Sequence, residues 1–225
     1  MKVRYWVLEK VLAQSSTELD IINHAISNDN IAWVNTPRRL MFWHQKLKSQ
    51  FSGKGPLFVT NFGGLWGLAC NAIHFIDLVA WWSDESLVSV DTTGLDQNWF
   101  ESKRDGYFEV TGKLVAHFSG GAILELNASS ILPAKPLHVE LSDGVSWEID
   151  EAVGHAFNIN GQQINGQIEF QSMLSGRLVD DILLRGRCNL PTLRESSAMH
   201  VVFLDAMLAH WNLSQNRKCL GVPIT

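Results

Sequence analysis

Cysteine is scarce in this chain: Cys70, Cys188 and Cys219 are the only three in 225 residues. An odd number at distant spacings, with no Cys-x-x-Cys, suggests neither a disulfide framework nor a zinc site, and a reducing cytoplasm is the expected setting. Excess positive charge is missing too. Lysine and arginine total 18 against 23 acidic residues, for a net charge of −5 with no basic stripe, so nucleic acid is not an expected partner. No apolar run approaches the ~20 residues of a membrane span. The short one behind Met1-Lys2-Val3-Arg4 already carries Glu9 and Lys10, which is no signal peptide. The Asn-x-Ser matches at Asn127 and Asn212 are therefore read as chance. Gly-x-Gly-x-x-Gly and Gly-x-Ser-x-Gly are absent. Gly106 to Gly112-Lys113 only imitates a phosphate loop: the spacer is one residue too long, Leu114 stands at the Ser/Thr position, and strands flank it. "SGKG" at 52–55 is a turn closing a helix.

What the chain has is hydrophobic material, 46% of its residues with nine tryptophans, enough to bury a core in one or two globular domains. "VRYWVL" at 3–8 is apolar, aromatic and β-branched, as in a strand buried on both faces of a parallel sheet. Ser15 and Glu18 look like a capping box, Leu19, Ile22 and Ile26 recur at helical spacing, "SNDN" at 27–30 stops the helix, and "IAWVNT" at 31–36 begins a second strand. Strand, helix, strand is one βαβ crossover. Beyond Pro37-Arg38-Arg39 the pattern predicts a helix over "LMFWHQKLKSQF" (40–51), a strand over "PLFVTNF" (56–62) and a largely buried helix from about 65 to 82. From 86 to about 170, alternating runs separated by Gly-Gly, Asp-Gly and Asn-Gly read as antiparallel strands, the last in "FNINGQQINGQIEF". Helices over 175–186 and 193–214 close the chain. The fold class is α+β: a large, open, mostly antiparallel sheet covered by helices on one face, preceded by a partial βαβ stub, with residues 1–38 as the stub and 39–225 as the main domain.

Two places could carry chemistry. Lys10 ends the first strand just before a helix, where open α/β sheets bind ligands, so its ammonium could meet a substrate oxygen; a solvated charge marking the end of burial is the plainer alternative. In the buried helix, Cys70 and Asn71 precede His74 by four and three residues and Asp77 follows by three, which puts four polar side chains on one flank. His74 could take the proton of a reacting hydroxyl with Asn71 or Asp77 orienting it, or be a hydrogen-bonded core histidine. The His74/Asp77 spacing also suits two metal ligands, but no third is indicated and no metal is expected. His200 and His210 read as core or surface residues.

Glu9-Lys10 at a strand end, a capped helix, "NTPRR", a helix carrying "NAIHFIDL" and then a large sheet together resemble the Gfo/Idh/MocA family, the glucose-fructose oxidoreductase and inositol dehydrogenase group. Its signatures are Glu-Lys-Pro at a late Rossmann strand and an Asp-x-Gly-x-His-x-x-Asp-like helix. This chain departs from them: Val11 replaces the proline, so a cis peptide there is not expected, because a non-proline cis bond costs ~3 kcal/mol. Cys70 replaces the aspartate and Ala72 the glycine. The resemblance implies an NAD- or NADP-dependent oxidoreductase acting on a hydroxyl of a sugar, nucleotide sugar or cyclitol. It implies Lys10 and His74 as catalytic residues, Asn71, Cys70 and Arg39 at the substrate, and Glu9 with Lys10 at the cofactor. It also implies that the chain starts near the end of a Rossmann domain, with Met1 an internal or reassigned start or the chain a pared-down relative, and that it binds NAD(P) poorly alone. A homodimer or higher homo-oligomer is expected through the open sheet or the stub. The alternative is a non-catalytic binding or assembly module.

Overall fold

The computed structural model describes residues 3–26, 31–167, 169 and 171–225. "SNDN", expected to stop the first helix, lies outside the described residues, as do Ile168 and Phe170 in the last expected strand run. The first strand, β1 (Trp6–Leu8), pairs in parallel with β2 (Ala32–Val34), and α1 (Ser16–Ala25) connects them. Ser15 caps α1 by accepting from the Glu18 N–H, while the Glu18 carboxylate reaches one residue further back, to the Gln14 N–H at 2.9 Å. The expectation that the opening strand is buried on both faces does not hold. β1 covers only 6–8, and Trp6 and Val7, neighbours that point to opposite faces of the strand, are both exposed. β2 is fully buried, packed on the last helix.

Pro37 starts a short 3-10 turn (Pro37–Leu40), and Met41 is extended, so the following helix α2 begins at Phe42 rather than Leu40 and ends at Phe51. Next come β3 (Leu57–Phe62), α3 (Leu68–Ser83), β4 (Leu87–Leu95), a hairpin of β5 (Phe100–Glu101) and β6 (Phe108–Glu109), β7 (Gly112–Phe118) and β8 (Ile123–Ala128). The chain continues through β9 (Leu137–Leu141), β10 (Ser146–Asp150), β11 (His155–Asn158) and β12 (Gln163–Asn165) to α4 (Gln171–Arg185) and α5 (Leu193–Gln215). Among the described residues eight strands form one sheet in the order β12-β11-β10-β9-β3-β8-β7-β4. Its pairs are antiparallel except β3 with β8. The α+β class and the mostly antiparallel sheet are as the alternation predicts.

The pleat puts Leu114, Ala116, Leu124, Leu126, Val139, Trp147 and Ile149 inward against α2, α3 and α5. Trp82 of α3 is fully buried at the middle of this core, edge-on to Phe51 of α2. No helix among the described residues is long and apolar enough to cross a membrane. All three cysteines are free.

Two adjacent arginines tie the 3-10 turn to the main domain. Arg39 makes two hydrogen bonds to Asp77 of α3, at 3.0 and 2.6 Å, and Arg38 makes two to Glu151 beyond β10, both 2.7 Å. At the stub's other side, His200 of α5 donates from Nδ1 to the Ser196 carbonyl at 2.8 Å and accepts the Leu12 N–H at Nε2, 3.3 Å away. Burial holds His200 down at about 4.

Asp77 and Arg39 are both buried, so removing one strands the other's charge, whereas removing both does not. D77A is expected to lose about 3–5 kcal/mol in urea unfolding and R39M/D77L to lose much less; equal losses would contradict a matched pair. For His200, the folded-state value lies below that of the unfolded chain, so the unfolded chain binds the proton first and stability falls as pH drops from about 6.5 toward 4. The urea midpoint should therefore decline between pH 7 and 5, and less steeply in H200Q, which cannot titrate.

Candidate functional site

The site is built at the first turn of α3. Gly67 precedes the helix with φ +74°, a left-handed conformation that suits glycine. A side chain here would also crowd Glu109 and Asn71, each 3.1 Å from the position of a Cβ. The Asn71 amide donates to the Trp66 carbonyl at 2.7 Å, which turns its Oδ1 toward Lys10. The Lys10 ammonium, at the end of β1, donates to Asn71 Oδ1 at 2.8 Å, the Cys70 carbonyl at 3.1 Å and Cys70 Sγ at 3.2 Å. Glu9 turns the other way and accepts from Asn35 Nδ2 at 2.9 Å. Contrary to the expectation from Val11, the Lys10–Val11 peptide is cis.

These groups line a cavity of about 780 Å³, within the size range of small-molecule sites. Trp66 and the β5–β6 hairpin, with Phe100, Tyr107 and Phe108, supply aromatic surface. Glu109, at the end of the hairpin, was not singled out by sequence. Its carboxylate accepts from the Ala69 and Cys70 N–H groups at 2.8 and 3.1 Å, and burial pushes it above its usual value even though those bonds and Lys10 pull it down. No spacing rule links it to α3, because it reaches the helix from 39 and 40 residues away.

Of the residues singled out from sequence, Glu9, Lys10, Cys70 and Asn71 meet on this cavity. His74, one turn further along α3, lines a different one of about 240 Å³, with Arg38, Trp43 and Glu151. Burial, then the charges of Arg38 and Lys10, lower His74 to about 3. Its Nδ1 is buried without a hydrogen-bond partner among the described residues. Asp77 does not orient it, being bonded to Arg39 instead. Arg39, expected at the substrate, is buried in that ion pair and does not line the Lys10 cavity. Glu151 is held well below the usual carboxylate range: burial would raise it, but Arg38 and His44 outweigh that. His44 Nε2 lies 3.0 Å from Glu151 Oε1. Among the described residues no group of three or more His, Cys, Asp or Glu is placed to hold a metal ion.

The described residues do not fit the pyrophosphate of a dinucleotide. The stub has one strand-to-helix turn among the described residues, Lys10 to Ser15, and it has no glycine to let phosphate approach the backbone. The Glu18 carboxylate already occupies the first turn of α1 and would repel the anion.

No family model matches the sequence, and no curated protein matches it. Among solved structures, UDP-N-acetylglucosamine 3-dehydrogenase GnnA from Acidithiobacillus ferrooxidans is similar with a TM-score of 0.68 at 13% identity, over 94% of this chain and 72% of that one. Myo-inositol dehydrogenase from Lactobacillus casei, in complex with NAD(H) and myo-inositol, is similar with a TM-score of 0.59 at 12% identity, over 97% and 70%. GenD2 from gentamicin A biosynthesis, in complex with NAD, gives 0.63 at 17%, over 92% and 69%. The match is to the C-terminal part of these oxidoreductases, and it is this fold that the chain shares with them.

Proposed function

We propose that this chain is of the Gfo/Idh/MocA type and carries the substrate-binding role of an NAD(P)-dependent oxidoreductase acting on a hydroxyl of a sugar, nucleotide sugar or cyclitol. In this reading residues 1–38 are the remnant of a dinucleotide-binding unit and 39–225 the substrate domain, in a reducing cytoplasm. The observation that carries it is the Lys10 ammonium fixed on Asn71 at 2.8 Å beside a cavity of about 780 Å³ with aromatic walls. A polyhydroxyl ring presents what such a site takes: oxygens for the ammonium and the amide, and C–H faces for the rings.

A second reading, a binding module without turnover, is favoured by one observation. His74 is held down at about 3 and lines a different cavity from Lys10, so it is a weak proton acceptor there. Together with the lack of a pyrophosphate cradle among the described residues, this leads us to infer that these 225 residues bind a polyol and do not oxidise it alone.

Calorimetric titration of the chain with myo-inositol and with UDP-N-acetylglucosamine tests both readings. Saturable binding of at least one is expected, weakened roughly tenfold or more in K10A, the effect of losing a charge-assisted hydrogen bond. NADH fluorescence should show no saturable complex. Polyol affinity unchanged in K10A would remove the site from the account, and tight NADH binding with turnover would replace it with a complete dehydrogenase.

The outer sheet face supports self-association. Phe58 of β3 is exposed there beside Ile123 of β8, its registered neighbour. Light scattering is expected to give twice the chain mass of 25.2 kDa, and F58D to return it to a monomer. A wild-type monomer at high concentration would count against the dimer.

A further inference from the structure

We propose that Glu109 is the carboxylate that fixes vicinal hydroxyls of the ligand in the Lys10 cavity, a specificity-determining role. This deepens the polyol-binding reading and rests on it.

The acids on the cavity differ in what is left for a ligand. Glu9 is engaged by Asn35 and by the Lys10 N–H. Glu101 is exposed at the hairpin and competes with solvent. Glu109 is only 7% exposed, and each of its oxygens accepts one backbone N–H from the start of α3. A carboxylate has about four acceptor positions, and with the Ala69, Cys70 and Val110 N–H groups acting on this one it keeps capacity for a further donor. Among the described residues its side chain makes no ion pair. The result is a carboxyl group held at the helix N-terminus on the cavity that Lys10 also lines, where it can accept from a hydroxyl of one of two neighbouring carbons while Lys10 meets the other. Residue 70, which also lines the cavity, carries a thiol and residue 71 an amide, so α3 itself offers no carboxylate there.

A helix cap with no ligand role would show the same two backbone bonds, so the experiment has to separate the two. The probes are myo-inositol and its monodeoxy analogues, the quercitols, titrated against wild-type chain, E109Q and E109Q/C70D. Wild type is expected to bind myo-inositol at least tenfold tighter than the analogue lacking one hydroxyl of the recognised pair. E109Q should bring the two affinities within about twofold, and C70D, which returns a carboxylate to the same cavity, should restore the preference. Loss of a cap alone would weaken both ligands equally and leave their ratio unchanged, and that result overturns the proposal. Where E109Q does not fold, E109D keeps the charge with a shorter reach, and the same loss of discrimination is expected; a retained ratio again overturns it. If wild type binds none of these cyclitols, this inference fails, and if it does not bind UDP-N-acetylglucosamine either, the polyol reading fails with it. If wild type binds and the ratio survives substitution, only the role of Glu109 fails.

Discussion

The ammonium of Lys10 joins the end of β1 to the first turn of α3, and the site depends on that joint. Three hydrogen bonds span 60 or 61 residues of sequence. Against them stand the lost rotamer freedom of the lysine and the cost of taking its ammonium out of water, and the bond to sulfur is a weak one. The surplus is modest, so the greater effect is positional: a charge that would swing through solvent is instead held at one wall of a cavity. An ammonium has three donors, and all three are in use. An incoming ligand oxygen must therefore take one of them, and sulfur is the weakest acceptor of the three. Binding would move Lys10 off Cys70 Sγ and keep it on the carbonyl and Asn71.

The arginine pair does for the stub what Lys10 does for the site. Arg38 and Arg39 are consecutive yet bind acids from different elements, Glu151 next to the sheet and Asp77 within α3. The 3-10 turn started by Pro37 points neighbouring side chains in different directions, so one short segment can reach both. The 3-10 turn that follows β2 is thereby tied, through Arg39 and Asp77, to the helix that carries the site by an ion pair outside the cavity.

Much of this was legible in the sequence for reasons of period. Alternation marked the antiparallel strands, and the helical spacing of Cys70, Asn71 and His74 placed them on one flank of α3. The strand-end position of Lys10 singled it out. What failed were inferences that need a neighbour. "VRYWVL" reads as buried because apolar composition cannot tell whether anything packs over the two faces of a strand, and Trp6 and Val7, on opposite faces, are both exposed. Glu109 was invisible because its partners are the backbone of a distant helix, and an alternating run does not say which cavity a strand end will meet. Asp77 looked like an orienting group for His74 because both lie on α3, yet a guanidinium with two well-placed donors is a stronger partner than an imidazole.

Sharing a helix flank is not the same as sharing a site. His74 lies one turn beyond Cys70, and that turn of about 5.4 Å is enough to pass from the Lys10 cavity into the one lined by Arg38 and Glu151. For Nε2 of a neutral imidazole to accept a proton, the other nitrogen must carry its hydrogen and would need an acceptor to hold it. Nδ1 of His74 is buried with no such acceptor among the described residues, and two nearby cations oppose any added charge. Nothing comparable afflicts Lys10 and Asn71, whose polar atoms are paired and on the cavity wall. Holding a hydroxyl and removing its proton have different requirements: Lys10 and Asn71 present paired polar groups on one cavity wall, whereas the His74 imidazole lines another cavity with its Nδ1 unpartnered among the described residues.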